Sequence, residues 1–351
     1  MNKIIGRKEA VTILFFVAMP QLLIDYINYG ISRHNSGYWI NFIICSILAF
    51  MLFLPLKRSF NKKINSYIDN SLIEKIIGFI FIVYIISLLF YNFSICTNAI
   101  MSVTSGVFTR DIVSFLSVFS AIVCSILGIE TLGRLSYVIF YSVVTIILFI
   151  CMVSFKGWQN ENFYPILGTS VKLTIFDFSS CGLFLSLITT YLIRESICEP
   201  VRTFNLFKRA FLHVFVFGII LLIICILSVP YPMMGFYDFS LAAIFSSAKS
   251  NVFFHRFELF LVFLLMIINI MSMSVCLFLS SKLLSDITKS SDSRPFCAVI
   301  GCILFYLNLI FSDFKIVVYI YIISSLLIWL LLLLKSFMLL AKQKITKRAR
   351  H

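Results

Sequence analysis

The 351-residue chain is 61% hydrophobic, 16% aromatic and only 13% charged, against about 25% charged residues in an ordinary soluble domain. A soluble globular protein is excluded, and the net charge of +14 does not point to nucleic acid, because the basic residues sit in short clusters between apolar runs. A bilayer core about 30 Å thick takes about 20 apolar residues per helix, so this length predicts about ten membrane spans in one all-α integral membrane domain, with the lipid bilayer as solvent.

The basic N-terminus, Met1 to Glu9, leads into an apolar stretch with no small-residue cleavage site before Asp25 and reads as a retained first helix. Apolar runs predict spans over 10–29, 38–56, 76–105, 112–131, 134–154, 177–198, 208–230, 256–284, 295–312 and 314–340, with the turn between the fourth and fifth at Gly133 and Arg134. Twenty-two of the 29 basic residues then fall on the side of the two termini. Because cytoplasmic loops carry the Lys and Arg excess, both termini are expected in the cytoplasm, with the basic tail 342–351 beside anionic lipid. Two long loops, 155–176 and 231–255, lie on the other side. Cutting the chain at the first gives five spans in 1–155 and five in 174–341, and an odd number per half forces the halves into opposite orientations. That is the inverted-repeat plan of known transporters.

In that plan the ligand site forms where the first helix of each half is interrupted. Span one carries Ala18-Met19-Pro20-Gln21, where Pro20 removes a backbone donor and clashes with the preceding turn. Span six carries Ser179-Ser180-Cys181-Gly182, where Gly weakens the helix and Ser can satisfy freed carbonyls. Pro and Gly are also common in membrane helices generally, so each break alone has a plain structural reading.

Enzymatic chemistry is not visible. There is no H-E-x-x-H or G-x-S-x-G, the four histidines are far apart, and the ten cysteines, mostly inside apolar segments, contain no C-x-x-C. No catalytic residue, metal ligand or cofactor is expected. The acidic residues Asp25, Asp111, Glu130, Asp177, Glu195, Glu199 and Glu258 read as helix-end charges, leaving the middle of the membrane without a carboxylate for proton coupling. Ser272 and Ser274, with carbonyls near Met19, offer oxygen ligands for sodium or simply small surfaces for helix packing. Uncharged polar groups do populate mid-membrane positions: Gln21, Tyr84, Tyr91, Asn92, Asn98, Ser179, Ser180, Asn269 and Ser272. Tyr84, Tyr91 and Asn98 recur every seven residues and are expected on one helix face, either lining a pocket or packing. A small zwitterion suits such a pocket, its carboxylate held by free N–H groups and half-helix ends and its side chain by Met19 and Leu183. Arg256 and Glu258 open span eight and, two residues apart, face different partners.

Taken together, the length, the ten spans, the short basic N-terminus, Asn162 with Pro165 and Gly168, Tyr231-Pro232, and Arg256 with Glu258 give a chain that resembles the B subunit of bacterial spore germination receptors, a branch of the amino acid, polyamine and organocation transporter superfamily. It departs from that family at Ala18 to Pro20, where small Gly, Ser or Thr residues are usual. The resemblance implies a receptor subunit in the inner membrane of the dormant spore. It would sense an amino acid or similar small nutrient and signal to a membrane A subunit and a lipoprotein C subunit, with Arg256 and Glu258 reporting the state of the pocket. A transporting amino acid permease is the alternative.

Overall fold

The computed structural model describes residues 5–57, 60, 72–104, 108–155, 158–164, 168, 177, 179–197, 203–228, 258–310 and 315–348. Its helices are α1 (Arg7–Pro20), α2 (Ile27–His34), α3 (Tyr38–Phe53), α4 (Leu72–Thr104), α5 (Arg110–Leu127), α6 (Ile129–Ser154), α7 (Thr190–Ile193), α8 (Thr203–Ser228), α9 (Glu258–Thr288), α10 (Arg294–Ile310) and α11 (Lys315–Arg348). Among the described residues, seven helices are long and apolar enough to cross a membrane, and shorter apolar helices cover Ser180–Ile193, Arg294–Ile310 and Val318–Leu334. The protein is an all-α integral membrane protein. Helices satisfy every interior backbone group within one segment, which is what a medium without hydrogen-bonding solvent demands.

Burial sorts the helices into an inner and an outer set. The first span, Arg7–Tyr26, has 89% of its hydrophobic window buried inside the protein, whereas the spans of α5 and α6 have 33% and 28%. All residues of α1 from Ala10 to Pro20 are buried, and α1 packs against α6, α8, α9 and the segment 179–189. It is a central strut with no lipid face. The outer helices show the reverse, with Phe119, Val138, Met152, Tyr306 and Ile323 exposed as a lipid-facing surface requires.

Three sequence expectations are corrected here. The turn between the fourth and fifth spans is at Gly128, not at Gly133 and Arg134. Its φ of 92° lies where side-chain-bearing residues are strained, so the chain reverses there while Gly133 lies inside α6. The first helix does not end near residue 29 but continues through Ile27–His34. Asp25 is therefore inside a helix rather than at its end. Asn98 is exposed, so although it recurs on the same helix face as Tyr84 and Tyr91, it does not share their burial.

Neither candidate helix break is an unwound loop. Directly after Pro20 the chain widens into a π-helical segment, Gln21–Tyr26, before resuming as α2. Proline lacks the N–H that would bond the carbonyl four residues earlier and crowds that turn, and a π turn is one of the ways a helix absorbs such a fault. The second irregular element is a 3-10 helix of 11 residues, Ser179–Thr189, running into α7. Such runs rarely exceed three or four residues because their hydrogen bonds are poorly aligned. Ser186, Thr189 and Thr190 each turn a hydroxyl back on the carbonyl three residues earlier, at 2.7, 2.8 and 2.7 Å, which gives those carbonyls a second donor. The chain before α1 is tied to the chain after α7 by one main-chain bond, from Ile5 N to Ser196 O at 2.9 Å.

Candidate ligand site

The polar side chains of the interior gather where the π segment and the 3-10 segment face each other and α3, α4, α9 and α11. Asn92, on α4, is the hub. Its Nδ2 donates to the Val17 carbonyl at 3.0 Å and to Ser272 Oγ at 2.8 Å, and its Oδ1 accepts from Gln21 Nε2 at 3.1 Å. All three polar side chains are fully buried, so this cluster ties α1, α4 and α9 together beside the widened turn. Met19 and Leu183 are fully buried as well.

A second group lies one turn further along the π segment. Tyr91 donates its hydroxyl to Asp25 Oδ2, and the Tyr91 ring stacks on Tyr321 of α11 at 5.2 Å. Tyr84 also stacks on Tyr321, at 6.1 Å, and donates to the Leu185 carbonyl of the 3-10 segment at 2.9 Å. Tyr91 stands near the middle of the span Ile76–Thr104, so Asp25 is a carboxylate at membrane depth. The expectation of an uncharged membrane interior is corrected on this point.

The third group closes the end of the cluster. Ser180 donates to Asn41 Oδ1 at 3.1 Å and lies 2.9 Å from the Tyr38 hydroxyl. Asn41 Nδ2 donates to the Asp177 carbonyl at 2.7 Å, and His34 Nε2 pairs with Asp177 Oδ2 at 3.1 Å while its ring stacks on Tyr38. Gly182 faces the Tyr26 hydroxyl so closely that a methyl group in place of its hydrogen would collide with it.

Met19, Pro20, Gln21, Tyr84, Tyr91, Ser180, Gly182 and Ser272 thus stand around one region. Asn269 does not join them: it donates to Ser117 of α5 at 3.4 Å, whereas Ser272 accepts from Asn92 of α4. Ser274 turns its hydroxyl to its own helix carbonyl, Ile270 O, at 2.6 Å. Ser179 begins the 3-10 segment and Glu258 begins α9, whereas Arg256, Pro165 and Tyr231-Pro232 lie outside the described residues. Asp25, Tyr26, Tyr38, Asn41, His34 and Asp177 join the site beyond the residues expected from the sequence. The signal for Asp25 was available in the sequence, since it lies four residues after Gln21 and residues so spaced share a helix face.

A groove between α4 and α11, lined by Phe79, Ile80, Val83, Ile320, Ile323, Ser324 and Leu327, is almost wholly apolar and stands apart from these groups. Among the described residues, no three His, Cys, Asp or Glu side chains come together as metal ligands. A family model described as spore germination protein matches residues 30–317 of the chain. No curated protein matches it.

Proposed function

The chain belongs to the family of spore germination proteins, permease-like proteins of the membrane, and on that premise we propose that it is the nutrient-sensing subunit of a spore germination receptor. In this reading an amino acid or similar small germinant occupies the region between the π segment and the 3-10 segment. The occupied state is recognised by a membrane A subunit and a lipoprotein C subunit, in the inner membrane of the spore, with both termini cytoplasmic. The chain acts by binding and carries out no reaction. The observation that carries the reading, beyond the family, is the convergence of two irregular helices on one buried polar cluster. Irregular backbone at membrane depth is tolerated where it is enclosed by protein or lines a cavity, and in the inverted-repeat plan these are the positions of the ligand. Arg256 and Glu258 fit a reporting role, since the latter opens the helix that carries Ser272.

The second reading, a transporting permease, is favoured by Asp25, because a carboxylate at membrane depth is a common element of proton and ion routes. A ligand shifts an equilibrium only by its differential affinity for the two states, and a sensor need not release cargo on the far side. Purified chain in liposomes, given radiolabelled amino acids one at a time, separates the two. Saturable binding without accumulation supports the sensor, and concentrative uptake abolished by a change at Ser272 establishes the permease.

A further inference from the structure

Among the described residues, Asp25 takes part in one hydrogen bond, from Tyr91 to Oδ2, and in no ion pair. The nearest basic side chain described along its helix, His34, pairs with Asp177 instead. An ionised carboxylate in so apolar a setting is costly unless a cation or several donors answer it. Asp25 is not sealed off, however. It is half-buried, as are Tyr26, Cys181 and Gly182, while Ile24, Ile27, Leu183 and Phe184 around them are buried. Their accessible atoms therefore mark a space, reached by water, beside the junction of the π segment and the 3-10 segment. Three phenols, Tyr26, Tyr38 and Tyr91, lie within electrostatic reach of Asp25. Beside them the stacked rings of Tyr91 and Tyr321 carry aromatic faces that attract cations.

One unmatched carboxylate oxygen set among tyrosines is a receptor for a compact organic cation. We propose that Asp25 is the counter-charge for a primary ammonium group, and that the ligand is held in this space by its positive end. The inference rests on the reading of the chain as a small-molecule sensor or carrier, and it names the chemistry that either would recognise. An ammonium with three N–H donors can bond Asp25 Oδ1 directly, leave the Tyr91 bond to Oδ2 in place and set its third donor against a tyrosine hydroxyl. The shared chemistry belongs equally to a simple amine and to the amino end of an amino acid.

The test uses the full chain purified in detergent, with the midpoint of thermal unfolding followed against concentration of propylammonium chloride, L-alanine and sodium propionate. Propylammonium is expected to raise the midpoint saturably and propionate is not. L-Alanine matching propylammonium identifies the amino end alone as the recognised group, and a much tighter response to L-alanine adds a carboxylate contact elsewhere in the space. Asp25→Asn keeps the size and the Tyr91 bond but removes the charge, and should weaken propylammonium binding about tenfold or more, as expected for one charge-assisted hydrogen bond. Tyr91→Phe keeps the charge but removes the hydrogen bond that orients the carboxylate, so it should weaken propylammonium binding about fivefold, less than Asp25→Asn does, and an unchanged affinity counts against the inference. This second variant keeps the test open if Asp25→Asn fails to fold. Absence of any propylammonium effect on the wild-type chain, or an unchanged effect in Asp25→Asn, overturns the inference. The broader reading is judged separately, by whether spores lacking the chain lose their response to a nutrient mixture. Loss of that response with full retention by Asp25→Asn spores leaves the sensor standing and removes Asp25 from it.

Discussion

Asn92 shows how much one side chain can carry in a membrane interior. It makes three hydrogen bonds, to Val17, Gln21 and Ser272, and bonds of this kind between membrane helices are worth on average about 0.6 kcal/mol each. Asn92→Ala should therefore cost about 2 kcal/mol of stability and Ser272→Ala about 0.6 kcal/mol, an order readable by chemical denaturation of the purified chain in mixed micelles. Equal losses would mean that Asn92 is not the hub. The polar residues of this cluster could be picked from the sequence because Gln21, Asn92 and Ser272 are conspicuous among apolar neighbours. Their partners could not, since pairing depends on how helices distant in sequence are rotated against each other. Asn269 illustrates the limit: three residues from Ser272 on α9, it turns to Ser117 of α5.

Two elements depart from α-helical winding, and their places were legible from Pro20 and from the Ser-Ser-Cys-Gly sequence at 179–182. Their form was not. Whether a faulted helix unwinds, widens or tightens is decided by the donors that neighbouring helices offer, such as Asn92 at Val17 and the hydroxyls of Ser186, Thr189 and Thr190. The contact between these elements gives a sharp test. Gly182→Ala places a methyl against the Tyr26 hydroxyl, so it should blunt the germination response at normal protein level. Tyr26→Phe, which removes the colliding oxygen, should restore the response in the double variant. Such non-additivity is the signature of residues in contact, and a double variant as impaired as Gly182→Ala alone would show that the two do not meet. Enlargement to Gly182→Leu should be beyond rescue.

For the whole molecule, ten apolar runs in the sequence correspond to helices, because length and hydropathy are enough to find a span. Ends were less legible. Helix α4 starts at Leu72 and α11 runs to Arg348, since a helix continues into the interface once its apolar part is anchored. In the proposed orientation, with both termini cytoplasmic, the connection between α9 and α10 lies in the cytoplasm. A cysteine introduced at Ser293 in a Cys-free background should then react with a membrane-impermeant maleimide only after the membrane is opened. Labelling of intact cells would reverse the assigned orientation.

The unusual length of the 3-10 segment has a mechanical meaning. A 3-10 helix rises about 2.0 Å per residue and an α-helix about 1.5 Å, so the 11 residues Ser179–Thr189 hold about 5.5 Å of travel relative to the same residues wound as α-helix. The chain beyond one end is pinned by the main-chain bond between Ile5 and Ser196. Any rewinding would be felt at the other end, where Ser180 is latched to Tyr38 and Asn41. The segment is in effect a spring drawn out by about one helical turn, with its catch beside the carboxylate.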